Sequence, residues 1–189
     1  PGERVALLAK NCAEWFISDL AIQHAGLVSV PLYPLQAPEQ IAYVLEHAGC
    51  KVILVGKLDE PDKLATGIAA HITRIAMPYP TMPAEHQWQA LLAAHEPLLG
   101  THLQRGEDLL SILYTSGTTG QPKGVMLSAR AFAYAGSQSV KELQITEQDQ
   151  YFSYLPLSHA AERFLVEMNA LYSGGRVAFV ESLETFASD

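Results

Sequence analysis

Short apolar runs of strand length alternate along the chain with stretches whose apolar residues recur at helical spacing. Residues 4–9 (RVALLA) read as a first buried strand. Asn11 and Glu14 follow in the Asn-x-x-Glu spacing of a capping box, predicting a helix with Trp15, Phe16, Leu20 and Ile22 mainly on one side and a stop at Gly26. Residues 28–32 form a second strand, broken by the punctuation of Pro31 and Pro34. Pro38 then opens a helix with Ile41, Val44, Leu45 and Ala48 on one face and Gly49 at its end. Residues 51–56 (KVILVG) are a third strand. Strands that are apolar throughout, rather than alternating, belong in a parallel sheet covered by helices on both faces, so the pattern predicts an α/β fold.

The rhythm continues less clearly through a helix near 62–71, a strand near 73–77, a proline-rich turn at 78–83 and a helix near 85–94. It sharpens at residues 109–114 (LLSILY), a strand that runs directly into a glycine-rich loop. Ser128 is the expected N-cap of a helix through Leu143. Residues 151–155 form another strand, residues 160–172 have helical spacing in Phe164, Val166, Met168 and Leu171, and Gly174 and Gly175 end that helix before a strand at 176–180. No fixed-period repeat or heptad array interrupts this order.

The 189 residues are 49% hydrophobic and 17% charged, against about 25% charged in ordinary domains, which excludes disorder as the main state. A net charge of −8 disfavours a general binder of nucleic acid or anionic membrane, so any anion must be gripped locally. Cys12 and Cys50 stand far apart in no metal-ligand spacing, indicating neither a disulfide scaffold nor a zinc site and placing the chain in a reducing cytoplasm. The uncharged stretch 20–38 is long enough to span a membrane, but Pro31, Pro34 and Pro38 argue against a spanning helix. No basic-then-apolar leader is readable. The Pro-Gly-Glu start and Ala-Ser-Asp end are expected to be cuts in a longer polypeptide.

The chemistry concentrates in Tyr114 to Val125, YTSGTTGQPKGV. Thr115, Ser116, Thr118 and Thr119 supply four hydroxyls, Gly117, Gly120 and Gly124 free the backbone, and Lys123 adds the only charge. Glycines let peptide N–H groups approach anionic oxygens, hydroxyls add neutral donors, and a lysine acts as a point charge on phosphate. The loop also leaves the carboxyl end of a strand, where open α/β sheets bind ligands. Its spacing is not that of Walker A, and the chain carries neither GxGxxG nor GxSxG. On composition alone, a Gly/Thr-rich surface turn without a ligand is an equal reading.

The ordered string resembles the phosphate-binding signature of the adenylate-forming superfamily, which includes acyl-CoA synthetases, luciferases and peptide-synthetase adenylation domains. The resemblance implies that Thr115, Ser116, Gly117, Thr118, Thr119, Gly120 and Lys123 bind the β- and γ-phosphates of ATP, with Thr115 also approaching magnesium. Residues 153–164, SYLPLSHAAERF, are similar to the long-chain fatty-acid CoA ligase version of the next family motif. RVALLAKNCAEWF, GLVSVPLYP and IAYVLEHAGCKVILV extend the likeness over nearly the whole chain. Ala129 departs from the histidine many relatives carry there, a change expected to affect helix entry more than phosphate binding.

His159 alone reads as a hydrogen-bonded turn residue; the resemblance places it beside the acyl pocket and the adenylate, positioning substrate rather than moving a proton. Glu162 and Arg163 read either as an exposed first-turn pair or, by resemblance, as a brace of the acyl-side wall or a subunit contact. Tyr151, Phe152 and Tyr154 read as core. The implied fold is part of the N-terminal domain of an adenylate-forming enzyme, with residues 1–145 a first α/β subdomain and 146–189 the start of a second. The implied activity joins a fatty acid to AMP and transfers the acyl group to coenzyme A. The family's glutamate, aspartate and adenylation-lysine motifs have no match before Asp189, so no catalytic residue is expected within these residues and the fragment alone is expected to be inactive. The alternatives are an adenylating ligase for another carboxylic acid and a non-catalytic nucleotide-binding module. Cytoplasmic location, loose membrane association at the inner face and homodimerisation follow by the same analogy, and no nucleic-acid partner is expected.

Overall fold

The computed structural model describes residues 1–100, 102–115 and 121–180. Its strands are β1 (Arg4–Leu8), β2 (Val28–Leu32), β3 (Val52–Val55), β4 (Thr73–Ala76), β5 (His86–Gln87), β6 (Leu109–Thr115), β7 (Lys123–Ser128), β8 (Gln150–Ser153) and β9 (Arg176–Phe179). Its helices are α1 (Ala13–His24), α2 (Pro38–Ala48), α3 (Pro61–Ala65), α4 (Trp88–Ala94), α5 (Ala129–Glu142) and α6, residues 160–173. Among the described residues, seven strands form one sheet in the order β5-β4-β3-β1-β2-β6-β7, and β8 and β9 form a separate parallel pair. The large sheet is parallel except for β7, which runs antiparallel to β6. The expected α/β class is the observed one.

Chain order dictates the layers. From β1 the chain steps to β2 on one side, then crosses back to β3 on the other. Right-handed crossovers in opposite directions put their helices on opposite faces. Accordingly Trp15 and Ile22 of α1 pack with Val5, Leu7, Leu54 and Met77, whereas Ile41, Val44 and Leu45 of α2 pack with Ala6, Leu8, Val30 and Ile53 on the other face. Leu157, from the segment after β8, joins the α1 layer.

Several expected elements change at their ends for local reasons. The capping box does not form: Cys12 is the N-cap of α1 and makes no side-chain cap bond. Glu14 instead accepts a hydrogen bond from the Tyr79 hydroxyl at 2.6 Å, and Asn11 is bonded elsewhere. Pro31 lies inside β2 rather than breaking it, beyond the single Ser29↔Ser111 pair that joins β2 to β6. The helix expected near 62–71 stops at Ala65, and just beyond it Gly67 is pressed so close to the backbone of Pro38 that an added Cβ would lie 2.3 Å from its carbonyl oxygen. The helix expected from Glu85 begins at Trp88, since His86 and Gln87 pair with β4 as an edge strand. β8 ends at Ser153, two residues early. The Ser128 cap is as expected, its hydroxyl accepting from the Ala131 N–H at 3.3 Å.

Among the described residues, no helix is long and apolar enough to cross a membrane. Residues 20–38 divide between the end of α1, all of β2 and the start of α2.

Candidate active site at the carboxyl edge of the sheet

The glycine-rich segment is framed by a β-hairpin. Thr115 ends β6 and Lys123 begins β7, and the two are a cross-strand pair. Such partners lie roughly 5 Å apart and present their side chains on the same face. Thr115 and Lys123, both exposed, are thereby brought together across the loop between them. Ser116, Gly117, Thr118, Thr119 and Gly120 lie outside the described residues. Sequence reasoning missed β7 because its exposed positions, Lys123, Val125 and Met126, mix charge with apolar side chains and give no clean alternation.

Gly124 has a packing role beside the backbone freedom expected of it. It stands opposite Tyr114, and a Cβ there would lie 2.9 Å from Ile112 Cγ2 and 3.2 Å from Tyr114 Cζ. The residue makes room for a buried tyrosine under the hairpin. The Tyr114 hydroxyl shares a 2.7 Å hydrogen bond with His47 Nδ1 of α2, and burial pushes its pKa up to about 12. That bond anchors the base of the hairpin to the helix layer behind it.

Alternation along β6 sets the direction of the front face. Ile112 and Tyr114 enter the α2 layer, so Ser111, Leu113 and Thr115 point to the α1 side. The segment containing His159 arrives on this same side. Asn11, just past the carboxyl end of β1, donates through Nδ2 to Ser153 Oγ at 2.8 Å and to the Leu155 carbonyl at 2.6 Å, while its Oδ1 accepts from the Leu157 N–H at 3.0 Å. Three bonds from one side chain hold residues 153–157 against the carboxyl end of β1. Thr115 is at the carboxyl end of β6, two strand positions away and so about 10 Å along the sheet edge.

His159 is exposed and is the N-cap of α6, its Nδ1 accepting from the Ala161 N–H at 3.1 Å. That bond specifies the Nε2–H tautomer in the neutral ring. Thr115, Lys123 and His159 thus share one edge and one side of the sheet.

Glu162 and Arg163 are not the exposed pair that their place in the first turn allows. Their relative exposures are 2% and 0%, which also leaves no surface for a subunit contact. Burial pushes the Glu162 carboxyl above the usual carboxylate range, against hydrogen bonds from the Ser153 hydroxyl and the Tyr154 and Leu155 N–H groups. Tyr154 is 45% exposed, so of the three aromatics expected in the core it is the one that faces out.

Arg163 lies between the rings of Trp15 and Phe132, with its Cζ 5.2 Å from each centroid. Its Nη2 donates to Asp19 Oδ2 at 2.7 Å, and its Nη1 reaches Ser111 Oγ at 3.4 Å. Gln23 Nε2 also donates to Asp19 Oδ2. Arg163 Nε approaches Glu167 Oε2 to 2.7 Å, but neither atom finds a hydrogen-bond partner, so this is a charge contact rather than an aligned bond. Burial, opposed by Arg163 and reinforced by Asp19, pushes the Glu167 carboxyl above the usual carboxylate range. One guanidinium serving two carboxyls away from water disfavours full ionisation of Glu167. The sequence signal for this cluster was the adjacency of Glu162 and Arg163; its partners Asp19 and Glu167 gave none.

Among the described residues, no group of three or more His, Cys, Asp or Glu side chains is placed to hold a metal ion. The exposed hydroxyl of Thr115, beside Lys123, fits a single ligand to a hard cation that draws its other oxygens from phosphate and solvent.

The family model described as AMP-binding enzyme matches residues 1–189. The chain is 32% identical to fatty acyl-CoA synthetase A of Dictyostelium discoideum, over 96% of this chain and 29% of that protein. It is 31% identical to the long-chain-fatty-acid–CoA ligase ACSBG2 of Gallus gallus, over 94% of this chain and 25% of that one. It therefore spans between a quarter and a third of the length of these relatives. The crystal structure of ATP-bound MatB from Rhodopseudomonas palustris superposes on 99% of this chain and 37% of its own with a TM-score of 0.80 at 26% identity. With the hairpin-framed loop at the carboxyl edge, these matches make the chain a member of the AMP-binding enzyme family.

Proposed function

We propose that the polypeptide to which these residues belong uses ATP to convert a long-chain fatty acid to its acyl-adenylate and then transfers the acyl group to coenzyme A. The observation that carries this reading is the Thr115–Lys123 pair, which sets a hydroxyl and an ammonium side by side across a loop of Ser, Gly and Thr. A carboxylate must approach a polyphosphate, so the barrier is electrostatic. Lys123 and the hydroxyls of Thr115, Ser116, Thr118 and Thr119 hold and neutralise the departing pyrophosphate, with Gly117 and Gly120 letting backbone N–H groups close on its oxygens. A magnesium ion bound with the phosphates would add charge neutralisation, and Thr115 is the residue here that would meet it. His159 holds the acyl end; the carboxylate is already ionised near neutral pH and needs no base. The names of the two curated relatives support the choice of a long-chain acid.

Residues 1–145 form the first α/β unit in this reading, and 146–189 begin a second, which accords with β8 and β9 pairing apart from the large sheet. The test is acid-dependent pyrophosphate release by the complete polypeptide over a panel of short, aryl, amino and long-chain acids. Release confined to long-chain acids, and a Lys123→Ala variant with a raised KM for ATP whatever the acid, are the expected results. Preference for another acid class would overturn the substrate, and Lys123→Ala with unchanged ATP use would overturn the site.

A further inference from the structure

A buried ionic cluster is a costly way to join two helices. Taking charges out of water costs several kcal/mol per ion, and well-packed apolar replacements are often as stable or more so. What an arginine provides that apolar contacts do not is direction, because its planar fork fixes the angle of each partner. Arg163 spends that property on four separate elements: it meets Asp19 and Trp15 of α1, Ser111 of β6, Phe132 of α5 and Glu167 on its own helix. The helix widens into π turns over Arg163–Met168, so the register of α6 changes at this residue.

Both of its connections lead to the carboxyl edge. Ser111 is four residues before Thr115 on β6, and the Ser111 hydroxyl is itself tied to the Ser29 carbonyl of β2 at 3.0 Å. His159 is one helical turn before Arg163, whose N–H donates to the His159 carbonyl at 3.2 Å. We propose that Arg163 is a positioning residue for adenylation: its tie from α6 to α1 and β6 sets where His159 stands relative to Thr115 and Lys123. This rests on reading that corner as the adenylation site. The hairpin holds Thr115 and Lys123 together without help from Arg163, so the phosphate grip is independent of it. The in-line approach of the acid is not, and a misplacement of about 1 Å can cost on the order of a hundredfold in rate.

The experiment uses the complete polypeptide and measures acid-dependent ATP–pyrophosphate exchange, with kcat and KM for ATP separated. In the triple variant Asp19→Asn, Arg163→Met, Glu167→Gln the whole cluster is neutral, so thermal stability should stay near that of the parent. Its kcat is expected to fall by about tenfold or more, while KM for ATP stays within about threefold. Arg163→Lys, which keeps the charge without the fork, is expected to fall between the two and serves if the triple variant does not fold. Parent-like kcat in either folded variant overturns the proposal. Absence of exchange in the parent defeats the adenylation reading, and this inference with it. Exchange in the parent that Lys123→Ala impairs through KM upholds that reading and leaves the Arg163 variants to decide this one.

Discussion

Single residues here are decided by their neighbours more than by their type. Gly124 is the example inside the most legible motif of the chain: its spacing reads as phosphate-binding, yet its missing Cβ is what lets Ile112 and Tyr114 close under the hairpin. Gly124→Ala is therefore expected to destabilise the protein by about 1–3 kcal/mol, through overpacking, visible as a lowered midpoint in denaturant titration. Glu167 makes a second residue-scale prediction. Burial raises its carboxyl in the folded protein above the ordinary value of about 4.3 that holds when unfolded, so from there up to the raised folded value the folded form binds the extra proton. Stability then falls as pH rises through that window and levels off above it. Glu167→Gln should match the parent near pH 4.5 and become progressively more stable than it towards pH 8.5, as followed by thermal unfolding across pH. Parallel profiles would show that Arg163 keeps Glu167 ionised throughout.

At the scale of elements, the apolar runs located most of the strands and helices, because burial on both faces of a parallel sheet demands continuous apolar stretches. Elements whose reason is contact at a distance were misread. β7 exists because β6 offers it an edge, and Asn11 leaves its expected cap to bond residues 142 to 146 positions away. Asn11→Ala separates the two roles of that side chain. Loss of a cap would lower the helicity of α1 and speed its hydrogen exchange. The structure instead predicts unchanged exchange in α1 and faster exchange at Leu157, whose N–H loses its acceptor, at a stability cost of about 1–3 kcal/mol for the buried group left unpaired. Hydrogen exchange resolved by peptide distinguishes these outcomes.

Over the whole molecule, the acidic balance suits the proposed local grip: a chain of net charge −8 sets Thr115 and Lys123 side by side at a strand end. The chain spans between a quarter and a third of the length of its relatives. These 189 residues alone are thus expected to release no pyrophosphate from ATP and a fatty acid, and release above background would overturn that expectation. By itself the sequence determined the α/β class, the order of the main elements and the place of the glycine-rich segment after β6, since periodicity and glycine content are local properties of a few neighbouring residues. Only the tertiary structure decided that Thr115 and Lys123 face one another, that Asn11 docks the His159 segment to the same edge, and that Arg163 is enclosed between Trp15 and Phe132 rather than exposed. Those facts depend on strand order and on which side chains meet across the core, and a buried ion and a surface ion look alike until the residues around them are in place.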